Sequence, residues 1–158
     1  MDISVKMGER MFNYRVAAII THQGRLLAMH DEKSPYYYLP GGRVQMGEEA
    51  PQALVREMQE ELHITARVVR PLWLVQGFFN EIMNGLDYHE LCLYFLVDVM
   101  DTDLLSRGDA FTLKDNEHTL RFEWLSFDKL KDEYFFPTFL KSEIYRLPSE
   151  FTLLAVHE

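Results

Sequence analysis

Apolar residues run through most of this chain in strand-sized blocks, and the breaks between them fall at turn-forming residues. Tyr14 to Thr21 (YRVAAIIT) is apolar and β-branched and predicts a strand. His22-Gln23-Gly24 reads as a turn and Arg25 to His30 as a second strand, so the two form a hairpin. Asp31 to Pro35 is a loop, and Tyr36 to Leu39 is a short aromatic strand ending at Pro40-Gly41-Gly42. Thr65 to Phe79 is one long strand or two, with Pro71 and Gly77 as interruptions. Asn80 to Asp87 is a turn, His89 to Val99 a strongly apolar strand, and Asp101 to Asp115 a polar loop. Leu120 to Ser126 is the last main strand. Phe127 to Asp132 and Thr138 to Leu147 read as short helices, and Phe151 to Val156 as an edge strand. Many strands with one long and one shorter helical region predict an α/β (α+β) fold, a mixed sheet covered by helices.

The period changes over Glu48 to Leu62. At about 100° per residue, Pro51, Leu54, Val55, Met58 and Leu62 gather on one side, as in a core-facing helix. Glu57, Glu60 and Glu61 fall on the opposite side. Ala50 and Ala53 extend that arc by a turn, leaving a patch without bulk where a ligand could lie. An ordinary solvated helix face mixes charges to gain pairs worth roughly 0.2–0.5 kcal/mol each. Here no lysine or arginine stands four residues after any of these glutamates. Carboxylates clustered on a rigid element, behind a double glycine, suit a hard divalent cation.

Composition narrows the function. A length of 158 residues with 47% hydrophobic content is enough for one domain with a proper core. A net charge of −9 argues against a general nucleic-acid binder. It also means that a phosphate-bearing substrate would need a cation to be held. Cys92 is the only cysteine, so no internal disulfide forms, and its place in LCLYFLV marks it as core. MDISVKMGER has no apolar leader region and no apolar run reaches membrane length, so a cytoplasmic location is expected.

Gly42, five residues, Glu48, seven residues, then Arg56-Glu57-Met58-Gln59-Glu60-Glu61-Leu62-His63-Ile64 closely resembles the Nudix box. Eight of its nine specified positions match; the departure is His63, where the family has glycine to end the helix in a left-handed conformation. The resemblance implies a Nudix-type α/β/α sandwich with a central mixed β-sheet, a single domain over residues 1–158. It implies metal-dependent hydrolysis of a pyrophosphate bond in a nucleoside diphosphate linked to another moiety, with Mg²⁺ or Mn²⁺ held by Glu57, Glu60 and Glu61. Glu57 would also orient or deprotonate the attacking water, and Arg56 would pair with a neighbouring carboxylate. Glu48 would sit at the helix start, where negative charge is favoured. Gly41 and Gly42 would give a carbonyl to the metal and clear space for phosphate. A further base is often supplied from a later loop; Glu117 is the first candidate and Glu123 the second.

Other residues could read the substrate. Arg15, inside an apolar strand, contacts a phosphate or points out from a sheet edge. Arg43 follows the double glycine and is within reach of a phosphate. Tyr36, Tyr37, Tyr38, Phe78 and Phe79 include stacking candidates. Secondary signatures for ADP-ribose, dinucleoside polyphosphate, NADH and coenzyme A substrates are absent. Nucleoside triphosphates, modified nucleotides and nucleotide sugars stay open, no nucleic-acid polymer or membrane partner is expected, and a homodimer is compatible with the resemblance. The alternative is a Nudix-fold nucleotide-binding or sensing module without catalysis, which would normally show broken box glutamates.

Overall fold

The apolar run at Tyr14 belongs to a strand that begins earlier. In the computed structural model, which describes residues 1–158, β1 (Ser4–Met7) and β2 (Arg10–Ile19) pair antiparallel. The chain turns at Ile20 into β3 (Thr21–His22) and β4 (Arg25–Asp31), which pair in a different sheet. Gln23 and Gly24 have φ of 50° and 73°, the pair of positive angles that a two-residue hairpin turn requires. β5 (Gly41–Arg43) lies antiparallel beside Arg15 to Ala17 of β2. Helix α1 (Ala50–Leu62) follows, then the long hairpin of β6 (Arg67–Asn80) and β7 (Asp87–Asp98), with β7 parallel to β2. After a 3₁₀ turn at Leu104–Arg107 come β8 (Ala110–Asp115) and β9 (His118–Ser126), and β9 pairs with β4. Short helices α2 (Phe127–Leu130) and α3 (Leu140–Glu143) precede β10 (Thr152–His157), which runs parallel to β6 at the sheet edge.

The mixed sheet therefore has the order β1-β2-β7-β6-β10 with β5 also on β2, and the second sheet the order β3-β4-β9-β8. β2 is buried on both faces over Val16 to Ile19, which explains the apolar run VAAI there. Val16 and Ala18 pack with Leu54, Met58 and Leu62 of α1. Ala17 and Ile19 face the other way, toward Leu130, Leu140 and Ile144 around α2 and α3. Helices on both sides of the sheets give the expected α/β/α layering.

Several local expectations shift. α1 begins at Ala50 instead of Glu48, because Glu49 forms the N-cap with a reciprocal capping box to Gln52 and Pro51 sits in the first turn. Tyr36 to Leu39 makes only isolated bridges, Met29 to Tyr38 and Tyr37 to Phe135. β6 runs through Pro71, where the ladder shifts register between Pro71 and Trp73; Gly77 interrupts nothing. The polar segment Asp101 to Asp115 contains β8, whose side chains are mostly exposed, so it carries no apolar run. The helix over Thr138 to Leu147 shortens to four residues. No helix is long and apolar enough to cross a membrane.

Candidate active site

The face of α1 opposite the predicted core stripe is not a uniform solvated surface. Ala50 and Ala53 are buried in the core, whereas Pro51 is exposed and Val55 is 36% exposed. The patch read as open to a ligand is instead where the helix packs against β2 and β5, and small side chains permit that approach. The inward face therefore includes two of the glutamates. Glu57 and Glu61 are partly buried, and the Glu60 side chain is 55% exposed.

The double glycine is explained by these carboxylates. A Cβ on Gly42 would overlap the carboxylate of Glu57, and a Cβ on Gly41 would overlap the Val16 carbonyl across the ladder. Gly41 donates its backbone N–H to Glu61 Oε1 at 3.1 Å. Strand β5 thus cradles one glutamate and holds another.

Arg56 organises the outer side. Its Nε and Nη2 donate to the two oxygens of Glu48 at 2.8 and 3.0 Å, and Nη2 also donates to the Arg43 carbonyl at 3.0 Å. Its Nη1 donates to Glu57 at 2.9 Å and to Glu60 at 3.3 Å. The glutamates therefore have a counter-charge, supplied from before them in the helix, where the i+4 rule applied toward the C-terminus did not look. Arg56 holds the Glu48 carboxyl below the usual range and fixes Glu48 bidentately.

The inner pair is costly when charged. Burial, opposed by Arg56, pushes the Glu57 carboxyl up. Burial and then the neighbouring Glu57 charge push Glu61 up to about 8, against the Gly41 hydrogen bond and Arg15. A bound cation would reverse that preference. All the donors are oxygens, which is the chemistry a hard dication takes. No three His, Cys, Asp or Glu side chains stand together as a closed metal cage, since Glu60 turns outward to Arg56.

A cavity of about 300 Å³ is lined by Arg15 and Ala17 of β2, which pair with Arg43 and Gly41 of the strand that holds Glu61. Arg15 reaches into it; burial works against its charge, and the neighbouring Glu90 carboxylate outweighs that cost. Tyr36, Tyr38 and Phe79 line it too. The Tyr36 hydroxyl donates to Glu81 at 3.0 Å, and its ring packs edge-on against Tyr134 and Phe136 at 5.7 and 5.0 Å.

The remaining candidates are placed as follows. Tyr37 points elsewhere and donates to Glu123 at 2.7 Å. Phe78 lies outside the cavity, stacked on His157. The Arg43 side chain is 40% exposed and 3.9 Å from Asp2. Glu117 is exposed on the β8–β9 turn. His63 caps α1 in the left-handed conformation, φ 55°, donating its backbone N–H to Gln59, as the missing glycine would. Glu81, Glu90, Tyr94, Tyr134 and Phe136 are the cavity residues that sequence reasoning missed. A charge at Glu90 directly before the apolar run LCLYFLV, like Arg15 directly before VAAII, was the available signal.

The NUDIX domain family model matches residues 11–144. The chain belongs to the Nudix family. Relatives within reach of sequence include an ADP-ribose pyrophosphatase from Methanocaldococcus jannaschii, 29% identical over 98 residues, or 60% of this chain. The match spans 56% of that relative's length. Among solved structures, a mutator MutT protein from Bacillus halodurans superimposes with a TM-score of 0.60 at 14% identity, covering 92% of this chain and 89% of that one. A Nudix hydrolase from Nitrosomonas europaea gives 0.58 at 20% identity, covering 84% and 86%. At such identities the structural likeness establishes the Nudix fold.

Proposed function

We propose that this protein is a pyrophosphohydrolase that cleaves a nucleoside diphosphate linked to another moiety. The observation that carries this reading is the pair of partly buried glutamates, Glu57 and Glu61, cradled by Gly41-Gly42 next to a cavity holding Arg15. Membership of the Nudix family and the pyrophosphatase relative support it. Glu57 and Glu61, joined by Glu60, would hold Mg²⁺ or Mn²⁺. When bound, the cation neutralises developing charge and lowers the pKa of water. Arg56 keeps Glu57 and Glu60 oriented. Glu57 orients the attacking water and takes its proton, with Glu117 as a second base carried on the β8–β9 turn. Arg15 holds a phosphate oxygen from the cavity side, and Arg43 one from the exposed side. The unit spans residues 1–158 and acts in the cytoplasm on a small nucleotide derivative.

The test is a ³¹P NMR screen of nucleoside triphosphates, oxidised nucleotides, nucleotide sugars, dinucleoside polyphosphates and ADP-ribose, each with and without Mg²⁺ or Mn²⁺. ADP-ribose belongs in the panel because of what the archaeal relative is named for. Metal-dependent cleavage of one class is expected. Tight binding without cleavage of anything would replace the enzyme by a nucleotide-sensing module.

A further inference from the structure

Two ionisable side chains on the cavity floor have hydrogen-bonding capacity to spare. Arg15 on β2 and Glu90 on β7 both line the cavity. Neither belongs to any of the protein's ion pairs. No buried side-chain nitrogen or oxygen is left without a partner, so the free positions of Arg15 and Glu90 open onto the cavity. A carboxylate withdrawn from bulk water is costly until something donates to it.

Glu90 also has a polar neighbour in the strand beside it. Asn13 stands opposite it in the β2–β7 register and is 3% exposed. The Asn13 Oδ1 accepts from Ser4 Oγ at 2.6 Å. This leaves the Asn13 amide nitrogen free to face Glu90, whose carboxyl is pushed up by burial against the opposing pull of Arg15 and Asn13. The result is a carboxyl group backed by an amide side chain in the register and open to the cavity on its other side.

The surrounding charge decides what can enter. Glu81, Glu90 and Glu158 line the cavity against Arg15 alone. Away from Arg15 an anionic group is repelled, and a neutral group rich in N–H donors is favoured. The aromatic wall of Tyr36, Phe79, Tyr134 and Phe136 suits a flat ring. A volume of about 300 Å³ is at the small end of ligand sites, enough for one nucleoside and not two. Arg15 pairs with Arg43 of β5, the strand whose Gly41 N–H holds Glu61, so the phosphate end of a ligand points to that strand and the glutamates beyond it.

Resting on the pyrophosphohydrolase reading of the same site, we propose that Glu90 is its specificity-determining residue: the carboxylate accepts hydrogen bonds from the N–H groups of a nucleobase seated against the aromatic wall, with Arg15 at the phosphate end. A base without N–H donors leaves Glu90 desolvated and unpaired, and is rejected for that reason. A moiety carrying its own phosphate stays outside the cavity.

The test is calorimetric titration of the protein in saturating Mg²⁺ with guanosine, adenosine and purine riboside 5′-monophosphates, which have no pyrophosphate bond to cleave, the last having no N–H on its base. At least one of the first two should bind about tenfold or more tighter than purine riboside monophosphate. In Glu90→Gln that gap should shrink to within about threefold, with purine riboside monophosphate still bound. Equal binding of all three by the wild type, or of none, overturns the proposal, as does a gap that survives in a folded Glu90→Gln protein. If that variant melts early, the wild-type ligand comparison decides alone. Discrimination in binding without hydrolysis would refute only the reaction, and hydrolysis without discrimination only the role of Glu90.

Discussion

Glu61→Gln should stabilise the metal-free protein at high pH and leave it unchanged at low pH. Folding raises the Glu61 carboxyl to about 8, chiefly by burial and then by Glu57, from about 4.3 in an unfolded chain. Below about pH 4 both states hold the proton and the group contributes nothing. Between the two values the unfolded chain has released its proton while the folded protein keeps it. Stability then falls as pH rises, by up to about 1.4 kcal/mol per pH unit. Above about 8 the folded state carries the full cost of a charged, partly buried Glu61. Glutamine keeps an oxygen to accept the Gly41 N–H and has nothing to titrate. The two proteins should unfold alike near pH 4, and the variant should lead by a few kcal/mol, in order of magnitude, near pH 8. Urea midpoints in a chelator, taken at several pH values, measure this directly. Adding Mg²⁺ at the higher pH should close the gap, since a cation that binds the ionised Glu61 stabilises the folded wild type. Parallel stability curves for the two proteins would refute the assignment of a strained carboxylate at this position.

Glu60→Gln should abolish most turnover at saturating Mg²⁺ while leaving the melting temperature nearly unchanged, because that side chain is 55% exposed; wild-type turnover would remove Glu60 from the metal site. Gly42→Ala should displace the Glu57 carboxylate, costing about 1–3 kcal/mol as overpacking and a larger fraction of kcat than of stability, read by thermal melts beside steady-state kinetics. Arg56→Lys keeps the charge but loses the bidentate grip on Glu48; kcat should fall more than tenfold, and a fall only in stability would mean that Arg56 acts in folding alone. His63→Gly should stabilise the protein by roughly 1 kcal/mol by relieving the left-handed cap, visible as a higher urea midpoint.

What could be read from the chain is what depends on neighbours in sequence. The helix and its carboxylate face follow from spacing, the left-handed residue at its end from the resemblance that puts glycine there, and the hairpin at Gln23-Gly24 from turn chemistry. The apolar run at Tyr14 likewise announced a strand, whereas the burial of both its faces came from the packing. Other features needed the tertiary structure. Ala50 and Ala53 look like an open patch on a helical projection, yet lie in the core because β2 and β5 pass beneath them. A projection of one helix contains no information about the element packed on it. β8 was hidden because an edge strand with exposed side chains has no apolar signature. The cavity is the clearest case: Arg15, Tyr36, Glu90 and Phe136 are far apart in the chain and meet only through the parallel pairing of β2 with β7 and the fold-back of the segment after α2. Strand alternation says which side chains share a face. Which strands become neighbours is set by long-range packing, so the chemistry on the helix was visible in the sequence and the recognition beside it was not.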